Sequence, residues 1–325
     1  MADLIKKIRT DKGDLQIDYT ALANLPSINN NLLINSDFRN PVNQRGKTDY
    51  VGGSANTTTN TTYTIDRWAK RNYGSTVVVG DSYVRYKTEN SNPTDSGSRT
   101  YSFVQSLENP EVFFGNTYTL SIKVKNVSGS YRMGIWQGAK TGFTSALVAS
   151  AVSDKYPYKD IKQAGIHTLS FTINQSFSDG YSVLNVGLVQ FSDMFSEGNY
   201  IDIEWIKLEQ GTAATPFMPR LYAEELMLCR RYYRNDSVRL ISYQHTSTYA
   251  YFGYNYEPMR AAPTFSYEGF AETSNHAGVT ATSTAVQALE ATAISRMAIR
   301  ITFNDTSTAY YRYASGRIKL DAEIY

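Results

Sequence analysis

The sequence predicts an all-β chain: an N-terminal appendage, a jelly-roll β-sandwich, one short linking helix and a smaller C-terminal β-sandwich. Three observations predict it. Of 325 residues, 26 are Tyr and 14 Phe, while Thr (32), Ser (31) and Asn (22) make up about a quarter of the chain. Aromatic and β-branched residues favour strands, and Asn and Ser favour turns. Apolar and polar residues also alternate at period two in segment after segment, the pattern of half-buried strands. Helical spacing is convincing in one stretch alone. The length suggests two domains with a short appendage.

Residues 1–30 form the appendage. Lys6, Lys7, Arg9 and Lys12 interleave with Asp3, Asp11, Asp14 and Asp18, which marks a solvated face. Gly13-Asp14 reads as a turn, and Leu15, Ile17 and Tyr19 alternate with polar residues as a short strand does. So short a segment buries no core of its own. Leu15, Ile17, Tyr19 and Leu22 are therefore expected to pack on a neighbouring chain, another protein or the next domain.

Residues 31–217 carry the first sandwich. Tyr118, Leu120, Ile122 and Val124 alternate with polar residues behind a Gly115-Asn116 turn. Leu169, Phe171 and Ile173 repeat the pattern. Leu184, Val186 and Leu188 follow, with Val183 and Val189 on the other face, so this strand is expected to be central and covered on both sides. Ile201 and Ile203 alternate with Asp202 and Glu204, and the phase then slips at Trp205-Ile206, as at a β-bulge.

The linking helix spans 218–234. Tyr222, Leu226, Cys229 and Tyr233 share one face, with Glu224 and Glu225 in the first turn and Arg230, Arg231 and Arg234 in the last. Leu226, Cys229 and Tyr233 should dock on a sheet or on copies of the same helix, and Cys229 reads as a small buried hydrophobe. Residues 235–325 return to strands. Ile299, Ile301 and Phe303 form one apolar face, and Ile318, Leu320, Ala322 and Ile324 another.

Several function classes are disfavoured. A net charge of +2 gives no electrostatic case for nucleic acid or an anionic membrane, and points to a polar, mostly uncharged partner. One cysteine allows no intrachain disulfide, and three histidines make a metal or triad enzyme hard to assemble. The first residues lack the apolar core of a leader, and no run is apolar enough to span a bilayer. The expectation is a soluble protein made in a cytosol.

Three stretches carry a resemblance. Asp18-Tyr19-Thr20-Ala21-Leu22-Ala23-Asn24-Leu25-Pro26-Ser27-Ile28 resembles a segment of bacteriophage tail-fibre and baseplate appendage proteins. Asn31-Leu32-Leu33-Ile34-Asn35-Ser36-Asp37-Phe38, with Asn40–Gly46 and Tyr63–Trp68, is similar to the opening of a jelly-roll module in such proteins. Ile203–Gly211 and Ala214–Arg220, leading into Glu224–Tyr233, resemble its close. The module is similar to carbohydrate-binding sandwiches through Gly115–Ser121. The resemblance implies a virion protein at a phage tail tip or baseplate, assembled in the host cytoplasm. It further implies a homotrimer attached to other tail or baseplate proteins through its N-terminal segment. Its distal domains would adsorb to a host surface polysaccharide or other cell-wall glycan, with no nucleic acid and no membrane insertion. The alternatives are a structural subunit bridging other tail proteins and a polysaccharide-degrading appendage.

Candidate glycan contacts are aromatic, since a flat π-face stacks on the C–H face of a sugar. Trp68 and Trp205 read as core. Trp136, beside Gln137 and between glycines, is the candidate to face a ligand, with a core position as the alternative. In the C-terminal region Tyr249 and Tyr251 share one strand face, Tyr254 and Tyr256 the other, and Tyr310, Tyr311 and Tyr313 form a second run. Tyr249, Tyr251, Tyr310, Tyr311 and Tyr313 are candidate receptor contacts. For any single Tyr, a β-former at a core edge or subunit contact is the leading role. By the same resemblance Asp37 and Asp202 could hold a structural calcium. Calcium takes six to eight oxygens, and Arg39 stands where the family pattern has an acid, so no cofactor is expected. The chain is expected to be no enzyme. Gly80-Asp81-Ser82 resembles the nucleophile block of GDS esterases, but Ala164, Ser242 and Thr273 stand where an Asp should precede each histidine. Asp202 and Glu204 read as exposed acids on an outer strand face.

Overall fold

A computed structural model describes residues 7–10, 13–16, 30–51, 61–71, 74–89, 100–139, 157–173, 181–191, 194, 196–245, 249–272, 283–289, 294–303 and 313–323. An N-terminal hairpin joins β1 (Lys7–Thr10) to β2 (Gly13–Gln16). Twelve strands follow: β3 (Asp49–Tyr50), β4 (Thr61–Tyr63), β5 (Ala69–Arg71), β6 (Ser75–Gly80), β7 (Tyr83–Thr88), β8 (Thr100–Leu107), β9 (Thr117–Ser128), β10 (Tyr131–Ala139), β11 (Tyr158–Ile161), β12 (Gly165–Thr172), β13 (Tyr181–Phe191) and β14 (Tyr200–Gln210). Helix α1 (Tyr222–Arg230) leads to β15 (Tyr233–His245), β16 (Tyr249–Asn255), β17 (Thr264–Glu272), β18 (Ser283–Leu289), β19 (Arg296–Phe303) and β20 (Tyr313–Asp321). Among the described residues the fold is all-β with a single α-helix, as the alternation predicts.

Gly13 and Asp14 lie inside β2, opposite Thr10 and Arg9, rather than in a turn. Leu15 is in this strand, and Ile17, Tyr19 and Leu22 lie outside the described residues.

β3 to β14 build two antiparallel six-stranded sheets, ordered β11-β10-β13-β8-β5-β4 and β12-β9-β14-β7-β6-β3. Side chains of both sheets meet in one core, in which Tyr118, Leu120, Ile122 and Val124 face Leu184, Val186 and Leu188. Its aromatic centre sets Trp68 against Phe103 at 5.1 Å between ring centroids and edge-on to Phe38 at 5.0 Å. The Trp68 indole N–H donates to the Asn35 carbonyl at 2.8 Å. Trp68 is core, as read.

The bulge falls at Glu204: Ile203 pairs with Val124, but Trp205 pairs with the adjacent Lys123. Past it Ile206 and Leu208 return to the core, while Trp205 is buried elsewhere, stacked on Phe217 at 4.8 Å. Residues 32–38 run beside the strand, with Leu32 N–H donating to Leu208 and Phe38 N–H to Glu204, both at 2.8 Å. Asp81 and Ser82 form the exposed tip of the β6–β7 hairpin, with Ser82 at φ 65°. A turn requirement thus accounts for the esterase-like triplet.

β15 to β20 form one six-stranded antiparallel sheet, ordered β17-β20-β15-β16-β19-β18. The long β15 belongs to both halves, pairing β20 through residues 233–241 and β16 beyond a bulge between Ser242 and Gln244. Leu240, Phe252, Ile299, Ile318 and Leu320, drawn from both halves, fill a separate core.

Helix α1 is shorter than expected, because Tyr233 already pairs with Asp321 as the first residue of β15. Its inner side also differs: Glu225 and Cys229 are buried, Leu226 is partly covered and Tyr222 is exposed. Glu225 is buried because its carboxylate accepts the Asn35 N–H at 2.8 Å and an Arg220 N–H at 2.9 Å. Cys229 and Tyr233 pack within their own chain, which corrects their assignment to an oligomer face. Burial pushes the Cys229 thiol well above its ordinary range, as for an inert buried cysteine.

An ion-pair network ties the first sandwich to the C-terminal sheet. A tight turn at Ile65–Trp68 holds Arg67 at φ 71° and directs it away from its own core. The Arg67 guanidinium binds the buried Glu323 carboxylate, donates to the Ser106 carbonyl at 2.7 Å and lies 3.5 Å from the centroid of the Tyr232 ring. Arg45 bridges Asp66 at 3.1 Å and Glu323 at 3.5 Å, and stacks on Tyr233 at 3.9 Å. The Gln44 amide donates at 2.8 Å to both Asp66 and the Tyr233 carbonyl.

Burial pushes the Asp66 carboxyl up to about 7, against the pull of Arg45 and the Gln44 amide. A carboxyl raised on folding favours the native state while it is protonated, so its stabilising effect is present below pH 4 and is lost as the pH rises through 7. Asp66→Asn should flatten the pH dependence of stability between pH 4 and 7. Urea unfolding across that range checks it, and parallel profiles for the two proteins would refute it.

Candidate functional site

The site predicted around Trp136 is not exposed. On β10 the side chains of Tyr131, Met133 and Ile135 enter the core, so Trp136 points to the opposite face of its sheet. There it is only 3% exposed, packed in a small cluster with Tyr63, Ala69, Val104 and Val189. Glycine makes the space. A Cβ at Gly134 would lie 3.2 Å from the Trp136 ring and 2.7 Å from the Pro157 carbonyl oxygen, and Gly134 pairs with Gly187 on β13. The indole lies over this bare backbone, which removes Trp136 from the candidate sugar platforms. The Gln137 side chain lies outside the described residues.

The two acids proposed for calcium are each held by arginine. Asp37 binds Arg39 at 2.7 Å. Asp202 is buried, receives Arg85 at 2.7 Å and accepts the Asn126 amide at 3.1 Å, so it is not an exposed outer acid. The bonds to Arg85 and Asn126 provide the neutralisation that a buried carboxylate requires. Among the described residues, no group of three or more His, Cys, Asp or Glu is placed to hold a metal.

The outer face of the C-terminal sheet has a different character. Alternation on β15 sends Leu240 and Ser242 inward, leaving Arg239, Ile241 and Tyr243 outside. Ile241 is 58% and Tyr243 64% exposed, although both are large and apolar or aromatic. On β16 Ala250, Phe252 and Tyr254 enter the core and Tyr251 faces out, its ring 6.3 Å from that of Tyr243. The bulge permits this meeting. Ser242 pairs with Phe252 and Gln244 with Tyr251, which leaves Tyr243 as the inserted residue on the outer side. On β20 Tyr313 pairs with Ile241 and carries the Arg239 guanidinium 5.6 Å from its ring centre.

Tyr313, Ile241, Tyr243 and Tyr251 thus form a largely aromatic stripe across three adjacent, paired strands. Rings presented by paired strands need little ordering on contact, and tyrosine adds a hydroxyl to each apolar face. Of the predicted residues the stripe brings together Tyr251 and Tyr313. The Tyr249 side chain, and Tyr310 and Tyr311 entirely, lie outside the described residues. Tyr254 and Tyr256 are in the core, as their opposite strand phase requires. Sequence reasoning missed Ile241 and Tyr243. The signal was the spacing of Val238, Leu240 and Ser242, which fixes the inward phase of β15.

No family model matches the sequence. No curated protein matches it either. Among solved structures, the chain is similar to a cyclase from Fischerella sp. TAU at 14% identity, covering 57% of this chain and 98% of that one. The TM-score is 0.29, too low to carry any argument about fold or activity.

Proposed function

We propose that this protein is a receptor-binding appendage of a phage or phage-tail-like particle, adsorbing to a glycan on the host cell surface without cleaving it. One observation supports this reading above the others: the Tyr313–Ile241–Tyr243–Tyr251 stripe on the outer face of the C-terminal sheet, with Ile241 and Tyr243 exposed and Tyr251 and Tyr313 half-buried. A shallow row of rings beside Ile241 offers stacking surface to successive sugars. Each contact is weak, and several copies acting together supply the avidity. The resemblance of residues 18–46 and 203–233 to tail-fibre and baseplate proteins supports the same assignment, and with it a homotrimer attached through the N-terminal segment.

A glycan array probed with the full chain tests the proposal. Binding to a surface polysaccharide is expected, and Tyr243→Ala with Tyr251→Ala should remove most of it. Base–aromatic stacking contributes about 1–3 kcal/mol per ring, and sugar stacking of similar size would make the double variant at least tenfold weaker. An array with no bound glycan would refute the receptor role and favour a purely structural tail subunit. Falling viscosity of the polymer would refute the non-catalytic assignment.

A further inference from the structure

We propose that Lys207 and Asn30 become joined by an intramolecular isopeptide bond, formed with loss of ammonia and with Glu209 carrying the proton. The three residues meet on the outer side of the first sandwich. Past the bulge of β14, Ile206 and Leu208 point into the core, so Lys207 and Glu209 share the opposite face. On an open strand both would be in water. Here the segment that follows β14 folds back over them, and their side chains are only 2% and 1% exposed. Lys207 Nζ donates to the Thr215 and Pro216 carbonyls at 3.2 and 3.1 Å, and also to the Thr215 hydroxyl. It lies 3.0 Å from Glu209 Oε2. The Asn30 amide, at the entry to the sandwich, donates to that same oxygen at 2.5 Å. One carboxylate oxygen therefore holds an amine and a carboxamide side by side.

These are the parts of an amide exchange. Lysine is a nucleophile once its ammonium has lost a proton, and a carboxylate within hydrogen-bond reach can take that proton. Burial would raise the Glu209 carboxyl, but the Thr215 hydroxyl and N–H, at 2.6 and 2.9 Å, and Lys207 outweigh this and hold it below its ordinary range. It is therefore ionised and able to act as the base. The neutral Nζ attacks Asn30 Cγ, and a C–N bond forms. Glu209 passes its proton to Nδ2, the Cγ–Nδ2 bond breaks, and ammonia departs. Nζ gives up one further proton, which leaves with the ammonia as ammonium. Nothing is oxidised or reduced. Enclosure replaces a bimolecular encounter with a positioned one, and escape of ammonia makes the step one-way. The junction pairs Arg67–Glu323 and Arg45–Asp66 use arginine, which does not deprotonate. The second buried lysine among the described residues, Lys70, donates instead to the Ser75 carbonyl. The bond would tie the first segment of the sandwich to its last strand, where the Leu32 N–H already donates to Leu208. Tension between the N-terminal segment and the C-terminal sheet would then cross this bond and spare the sandwich core.

Mass spectrometry of the purified, unfolded full chain tests the bond. The expected mass is that of the sequence less one ammonia, in most of the molecules. Tryptic digestion should show no cleavage after Lys207 and a branched peptide that joins it to the segment containing Asn30. Asn30→Ala, at a half-buried position, and Lys207→Arg should each abolish the loss of ammonia. Glu209→Gln should leave most of the chain unlinked, because the proton carrier is gone. If Lys207→Arg or Glu209→Gln fails to fold, the native chain and Asn30→Ala still decide. A native mass that retains the ammonia would overturn the proposal. So would a loss of ammonia without the branched peptide, the signature of a succinimide at an asparagine. Neither result depends on glycan binding, so the receptor reading stands or falls separately.

Discussion

Replacing Glu323 by Gln should destabilise the protein by about 3–5 kcal/mol, the usual consequence of removing one partner from a buried ion pair. The Glu323 side chain is fully buried and binds Arg67 and Arg45 together, as well as the Arg67 backbone N–H at 3.2 Å. The amide would leave the Arg67 charge in a low-dielectric site with neutral partners alone: the amide's own carbonyl oxygen, the Ser106 carbonyl and the face of Tyr232. Burial alone would lower the Arg67 pKa, but Glu323, together with the Tyr232 and Tyr63 hydroxyls, raises it overall. Urea denaturation measures the loss. Arg67→Met combined with Glu323→Leu should recover much of it, because the desolvation of both charges disappears. A loss below about 1 kcal/mol for Glu323→Gln, typical of an exposed pair, would mean that the junction is wetter than its geometry implies.

The second large effect belongs to the first sandwich. Trp68→Ala should cost about 3–5 kcal/mol. The ring is fully buried between Phe38 and Phe103, and its deletion would open a cavity at the meeting point of the two sheets. It would also strand the Asn35 carbonyl that accepts the indole N–H. Trp68→Phe separates the two effects. It keeps most of the packing and should lose roughly 1–3 kcal/mol, chiefly from the unsatisfied carbonyl. Equal losses for Ala and Phe would show that the hydrogen bond, rather than volume, dominates there.

Much of the architecture was legible because its elements announce themselves locally. The alternation Tyr118, Leu120, Ile122, Val124 and its counterparts in β12, β13 and β14 named the inward residues, and the phase slip near Trp205 located a real bulge. The opposite strand phases of Tyr251 and Tyr254 were also readable. What local reading missed depends on partners distant in sequence. Asp202 looked like an outer acid until Arg85, 117 residues away, was found to cover it. Arg67 and Glu323 are separated by 256 residues, and nothing near either shows that each is buried. Trp136 is hidden for a related reason: the bare backbone at Gly134 leaves its ring room to pack against the sheet. The stripe was half visible, since Ile241-Ser242-Tyr243 is ambiguous until the bulge fixes which side chain is added to the outer face.

The low overall charge points to an uncharged partner, and the contact surface proposed for it is the aromatic stripe of the C-terminal sheet. Where ligand meets protein is therefore the question on which the account turns. Hydroxyl-radical footprinting of the full chain, with and without the host surface polysaccharide, answers it most directly. The account predicts protection at Ile241, Tyr243, Tyr251 and Tyr313, with the exposed Tyr158 and Ile166 of the first sandwich unchanged. Protection confined to the first sandwich, with the stripe as reactive as in the free protein, would contradict it.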